Sequence, residues 1–225
     1  MKINKVFMEI IPTINCKDFN CLKRRLDISK EFGAGWVQID ISDGEFAGYE
    51  TWNEPERFLE EIDLSNLNYY IEVHLMVVDV EKYLENWLEA GVNRVIIHIE
   101  SKFDLEEVLG LCQKYGAELM LSVTPETDIE DLFEYLDKVK AVQILGVNPG
   151  PSGQFFQKDT FLRINTLLEK APGVTIEVDG GVDDRIAKEL KKRGVDIVAS
   201  GSFIFDSPNP EKRYKILRRS VNSKI

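Results

Sequence analysis

Arg94-Val95-Ile96-Ile97-His98 is apolar through its centre and lacks the apolar/polar alternation of a strand with one wet face. Such a run suits a parallel strand covered on both sides. Outward from it, runs of similar kind recur at 7–11, 36–41, 71–77, 118–123, 141–147, 174–178 and 196–199, making eight with 95–99. Between them lie amphipathic stretches at 18–32, 54–62, 80–90, 104–115, 128–136, 159–170 and 184–193, and 210–221 follows the last strand. The eightfold alternation predicts an α/β fold, a closed (β/α)8 TIM barrel forming one domain over residues 1–225. A doubly wound open sheet is the alternative. Asp104 and Asp128 are predicted to cap helix N-termini, and Gly91, Gly116 and Gly194 to take the left-handed turn after a helix.

Composition fits this reading. With 44% hydrophobic and 30% charged residues the chain resembles an ordinary globular protein, and no apolar run approaches the roughly 20 residues that span a bilayer. The opening Met1-Lys2-Ile3-Asn4-Lys5 leads too quickly into strand-like sequence for a secretory signal, so a cytoplasmic protein is expected. Lys and Arg number 28 against 39 Asp and Glu, and the net charge of −11 would repel nucleic acid. The basic stretch from Lys212 to Arg219 is interrupted by Tyr214, Ile216 and Leu217 at helical spacing, which predicts a closing amphipathic helix. Cys16, Cys21 and Cys112 lack paired metal-ligand spacing and are expected as free thiols in a reducing compartment.

The strand ends carry the chemistry. Trp36-Val37-Gln38-Ile39-Asp40-Ile41-Ser42-Asp43-Gly44 and Thr175-Ile176-Glu177-Val178-Asp179-Gly180-Gly181 each bring an aspartate to the end of an apolar run, before a turn. In a parallel barrel those ends face the common active site. Two carboxylates so placed can take a proton from one face of a carbon and return one to the other, if the intervening carbanion is stabilised. His74, in Ile71-Glu72-Val73-His74-Leu75-Met76-Val77, also ends a strand. With Asp40 and Asp179 it could hold a divalent ion; alone, it reads as well as a hydrogen-bonded core histidine. Gly180 and Gly181 follow strand seven, and Gly201 and Ser202 follow strand eight, the two turns that most often bind phosphate in such barrels. The plainer alternative is that these glycines only shape tight turns.

Several blocks now combine: Gln38-Ile39-Asp40-Ile41-Ser42-Asp43-Gly44, Val73-His74-Leu75-Met76-Val77, Val147-Asn148-Pro149-Gly150-Pro151-Ser152-Gly153-Gln154, Glu177-Val178-Asp179-Gly180-Gly181-Val182 and Gly201-Ser202-Phe203-Ile204-Phe205, with Ile11-Pro12-Thr13 before them. In order and spacing they resemble the ribulose-phosphate 3-epimerases over nearly the whole chain. The resemblance implies a barrel of the ribulose-phosphate-binding type and an isomerase of carbohydrate metabolism in the pentose phosphate pathway. Its substrate would be a small phosphorylated sugar, ribulose 5-phosphate converted to xylulose 5-phosphate through an enediolate. Asp40 and Asp179 would be the acid–base pair and also ligands of a divalent metal, typically zinc or iron, with His74 a third ligand. Thr13, His74, Gly150, Ser152, Gly153, Gly180, Gly181, Gly201 and Ser202 would contact the substrate and its phosphate.

The chain departs from the family pattern near the metal. Gln38 stands where the family places a fourth, histidine ligand, and an amide oxygen is a poorer partner for zinc than an imidazole nitrogen, so metal is expected to be weakly held or absent. Ser42 and Leu145 replace pocket methionines, leaving Met76; Phe46-Ala47-Gly48-Tyr49 and Pro151-Ser152 replace the family's F-V-P-N turn and the F-G of its glycine loop. Two other functions stay open: a noncatalytic phosphosugar-binding relative, and another phosphosugar isomerase or aldolase. The D-x-K-x-x-D run of the aldolase relatives ends no strand here. His98 is read as orienting ligands or as a core residue, Asp43 as a turn former or a support for ligands. Trp36, Trp52 and Trp87 are read as packing, and Glu54, Glu56, Glu60 and Glu61 as a solvated helix face. Homo-oligomerisation is left open.

Overall fold

The computed structural model describes residues 7–222, so the reading of residues 1–5 lies outside the described residues. Eight strands, β1 (Glu9–Ile14), β2 (Trp36–Ser42), β3 (Tyr70–Met76), β4 (Arg94–His98), β5 (Glu118–Val123), β6 (Ala141–Leu145), β7 (Thr175–Asp179) and β8 (Ile197–Ser200), pair in parallel and in sequence order until β8 meets β1. The sheet is the closed (β/α)8 barrel, not the open alternative. The outer layer is built from α1 (Phe19–Lys30), α2 (Pro55–Glu61), α3 (Leu84–Glu89), α4 (Leu105–Tyr115), α5 (Thr160–Lys170), α6 (Asp184–Lys192), the short α7 (Ser202–Phe205) and α8 (Pro210–Asn222).

Strand periodicity explains how an apolar barrel keeps a polar interior. Side chains alternate across a strand, so Val37, Ile39 and Ile41 of β2 and Ile71, Val73 and Leu75 of β3 join the apolar layer under the helices. The intervening Gln38, Asp40, Glu72 and His74 turn inward and are almost wholly buried. A separate plug of Ile11, Ile96, Met120 and Ile197 fills one layer of the interior, with Trp36 packed beside it. Buried ionisable groups must be paired. Arg94 meets this need by donating to Glu72 Oε2 at 2.7 Å and, through Nε and Nη2, to Glu118 Oε2 at 2.9 and 2.7 Å, while its guanidinium lies 4.1 Å from the Trp36 ring centre.

Asp104 caps α4 by accepting from the Glu107 amide at 3.0 Å, and Gly116 closes it at φ 71°, a left-handed conformation that favours glycine. Asp128 makes no such cap. The segment it precedes, Ile129–Tyr135, is a 3-10 helix whose three-residue turn puts Ile129 and Leu132 on one buried side. The 80–90 stretch likewise divides into a 3-10 turn, Val80–Lys82, and α3. The first strand runs further than the sequence suggested, through Pro12, where pairing with β8 ends and pairing with β2 is about to begin, so the missing N–H is tolerated. The amphipathic reading of the final helix holds: Tyr214, Leu217 and Val221 of α8 are buried.

One expectation is corrected. Cys16 and Cys21 are joined in a disulfide, because the Asp18-capped turn into α1 brings their Cα atoms to 5.9 Å. Only Cys112 is a free thiol among the described residues; it is buried, and burial pushes its pKa up to about 11.

Candidate active site

Asp40, His74 and Asp179 meet at the carboxyl ends of β2, β3 and β7. Parallel register sets Asp40 directly beside His74, and barrel closure brings β7 round to them. One side-chain donor atom from each lies within 4.8 Å of the others, and all three residues are buried. His74 Nδ1 is 3.6 Å from Asp40 Oδ1 and 3.6 Å from Asp179 Oδ2. Gln38 lies between the two carboxylates, its Nε2 donating to Asp40 Oδ1 at 2.8 Å and to Asp179 Oδ2 at 2.7 Å. Asn15, just past β1, donates to the other Asp40 oxygen at 3.1 Å.

The far side of His74 fixes its tautomer. Burial works against ionisation of Glu100, but His98 and the Thr127 and Thr124 donors outweigh it and hold the pKa down to about 2, so Glu100 can only accept. His98 Nδ1 lies 3.2 Å from Glu100 Oε2 and therefore carries the hydrogen. Its Nε2 is left as the acceptor for His74 Nε2, 2.8 Å away. Burial pushes the His98 pKa down to about 4. A neutral His74 then aims its Nδ1 lone pair toward two carboxylates, and that atom is buried without a hydrogen-bond partner among the described residues. Such a lone pair requires a cation, either a proton or a divalent metal, and Asp40, His74 and Asp179 suit the metal in donor type.

Without metal, burial opposes protonation of His74, yet Asp179 and Asp40 outweigh it and raise the pKa to about 9 from 6.5. Because the folded state binds this proton more tightly than the unfolded chain, the contribution to stability is complete below pH 6.5 and is lost as pH rises through about 9. Chelator-treated protein should therefore lose more stability between those limits than its His74→Gln variant. Urea unfolding at both ends of the window tests this, and parallel losses would contradict it.

A pocket opens above these groups. The predicted substrate contacts Thr13, Gly150, Ser152, Gly153, Gly180, Gly181, Gly201 and Ser202 all line it, together with Asp40, His74 and Asp179, whereas Gln38 lies beneath its lining. At Gly181 the backbone has φ 69°, and a Cβ would stand 2.5 Å from the Phe156 amide nitrogen. At Gly180, a Cβ would stand 2.4 Å from the Val147 side chain. These turns are packed so closely that glycine is required. Met76 and Leu145 form part of the apolar wall. Thr13 brings a buried hydroxyl with no hydrogen-bond partner among the described residues.

Several residues around the site were not singled out from the sequence. Asn15, Glu72, Arg94, Glu100, Ser122 and Gln143 all contribute hydrogen bonds in or beneath it. For Glu72 the available signal was a polar residue at every second position of an otherwise apolar run, Ile71-Glu72-Val73-His74-Leu75, and for Gln143 a single polar residue within the apolar Ala141-Val142-Gln143-Ile144-Leu145. Ser42 lies outside the pocket lining, its hydroxyl donating to the Tyr49 carbonyl and thereby holding the 45–50 loop, from which Phe46 packs on His98 at 4.8 Å between ring centres. Asp43 is the turn former: Oδ1 accepts from the amides of Glu45 and Phe46 and Oδ2 from that of Val78. Trp87 and Trp52 are buried packing residues.

A closed parallel barrel with paired aspartates, a histidine and glycine turns at its carboxyl end has the architecture of a phosphosugar-type (β/α)8 enzyme. Residues 9–205 match the profile of the ribulose-phosphate 3 epimerase family, and the chain belongs to that family. The ribulose-phosphate 3-epimerase of Chlamydia pneumoniae is 32% identical over 213 residues, covering 92% of this chain and 91% of that one. That of Aquifex aeolicus is 29% identical over 225 residues, covering 96% and 98%. Among solved structures, 3-hexulose-6-phosphate synthase from Salmonella typhimurium superposes with a TM-score of 0.73 at 12% identity, over 95% of this chain and 98% of that one, a likeness of fold.

Proposed function

We propose that this protein epimerises a ketose phosphate at C3, converting ribulose 5-phosphate to xylulose 5-phosphate, with Asp40 and Asp179 exchanging the proton on opposite faces. The observation that carries this reading is the pairing of the two carboxylates at the pocket floor, on strands separated by β8 and β1. One carboxylate removes the C3 proton; the other, already protonated, delivers one from the other side, and their roles exchange in the reverse direction. The apolar surfaces of Met76 and Leu145 restrict water around the intervening enediolate. Thr13 supplies its unused hydroxyl to the sugar, and the Gly180–Gly181 and Gly201–Ser202 turns receive the phosphate on backbone N–H groups. A divalent ion held by Asp40, His74 and Asp179 would supply Lewis-acid stabilisation of the substrate oxygens.

A cytoplasmic setting accords with the rice relative named as a cytoplasmic isoform. The test of function is proton NMR of ketose phosphates in deuterium oxide. Ribulose 5-phosphate should lose its C3 proton signal as xylulose 5-phosphate appears. Faster exchange in a different ketose phosphate would reassign the substrate, and no exchange in any would favour a noncatalytic binding protein.

A further inference from the structure

Beneath the pocket, a line of buried amides and hydroxyls crosses the barrel. Ser122 of β5 donates its hydroxyl to Gln143 Oε1 at 2.7 Å. Gln143 of β6 donates through Nε2 to Glu177 Oε1 at 2.8 Å and to Gln38 Oε1 at 3.3 Å. Gln38 in turn donates to Asp40 and Asp179. Gln38, Ser122 and Gln143 are fully buried, so no water can substitute for a misplaced donor.

This line has a direction. Turning the Gln38 amide over by itself would set its oxygen against carboxylate oxygens at distances of 2.8 and 2.7 Å and its NH2 group against that of Gln143 at 3.3 Å. Turning both amides would next set the Gln143 oxygen against Glu177 Oε1, a contact without a hydrogen whenever Glu177 is ionised. A carbonyl oxygen has no hydrogen to give to either carboxylate. We infer that Gln143 is a positioning residue that holds the Gln38 amide with its nitrogen toward Asp40 and Asp179, so that Gln38 ties the acid–base pair together as a hydrogen-bond donor and is withheld from metal ligation.

This inference rests on Asp40 and Asp179 as the acid–base pair, but it makes its own demand on metal binding. The amide oxygen is the only side-chain atom of Gln38 with a lone pair fit for a cation, and it faces the Gln143 donor, on the opposite side of the amide from the nitrogen bonded to Asp40 and Asp179. Gln143→Met keeps side-chain length while removing the donor. With that donor gone, the Gln38 oxygen loses the contact that opposes its turning toward Asp40 and Asp179.

Two measurements decide the matter. Neutron diffraction from perdeuterated wild-type protein, as purified, should find two deuterons on the Gln38 atom facing Asp40 and Asp179; a bare oxygen there would overturn the inference. Calorimetric titration of chelator-treated protein with zinc should give at least tenfold tighter binding in Gln143→Met than in wild type. Unchanged or weaker binding in a folded variant would show that Gln143 does not hold the amide. The neutron measurement stands if the variant fails to fold. Neither readout depends on turnover, so loss of the proposed epimerase activity and failure of this inference are separately visible.

Discussion

Asp179→Asn and Asp40→Asn are each expected to lower kcat for epimerisation by roughly 10²–10⁴, the usual contribution of a positioned acid–base group. Each carboxylate is held in place before substrate arrives: Asp40 by Gln38 and Asn15, Asp179 by Gln38. The amide that replaces it fills the same volume and can still hydrogen-bond, but it can neither accept the C3 proton nor deliver one at neutral pH. The variants should therefore keep near-native thermal midpoints while turnover collapses. Substrate affinity should change far less than kcat, since the phosphate is received on backbone N–H groups of the Gly180–Gly181 and Gly201–Ser202 turns, which neither substitution removes. A variant that kept wild-type turnover would remove that aspartate from the acid–base role. Collapse of turnover together with the fold would leave the loss attributable to structure, so unfolding is measured on the same samples.

The second large effect lies below the site and concerns stability. Glu72 is fully buried, and burial followed by the nearby Glu177 charge raises its pKa, with Arg94 pulling the other way. Glu177 is also fully buried, and burial pushes its pKa up to about 7. Arg94 is the cation bonded to Glu72, so Arg94→Met should destabilise the protein by about 3–5 kcal/mol, the usual cost of breaking a buried pair by removing one partner. Adding Glu72→Gln to that variant should recover much of the loss, because the uncompensated charge is then gone. Denaturant unfolding of the two single variants and the double variant forms a cycle that isolates the pair. A loss below about 1 kcal/mol for Arg94→Met would mean that Glu72 simply takes up a proton at little cost.

The parts of this molecule that were legible in the sequence are those that depend on neighbouring residues. Eight apolar runs separated by amphipathic stretches specify the barrel because each strand and helix buries its own face. Asp40, His74 and Asp179 were legible because strand-end position alone brings them to one face of a parallel barrel. The orientation of Gln38 was not legible, since it depends on Gln143, 105 residues away, and on a hydroxyl from yet another strand. The support of His74 by His98 required the β3–β4 pairing to bring two rings to a 5.0 Å centre separation. Local spacing also misjudged Cys16 and Cys21, where a capped turn folds the chain back on itself.

The central claim, that two carboxylates work from opposite faces of one carbon, is tested most directly by the fate of hydrogen at C3. Ribulose 5-phosphate carrying deuterium at C3 is turned over in ordinary water, and mass spectrometry reads both sugars at low conversion. With separate carboxylates taking and delivering protons, the xylulose 5-phosphate should carry protium at C3 while the remaining ribulose 5-phosphate stays deuterated. Product that retains the deuterium would mean that a single group carries the same hydrogen from one face to the other, and would contradict the paired roles of Asp40 and Asp179.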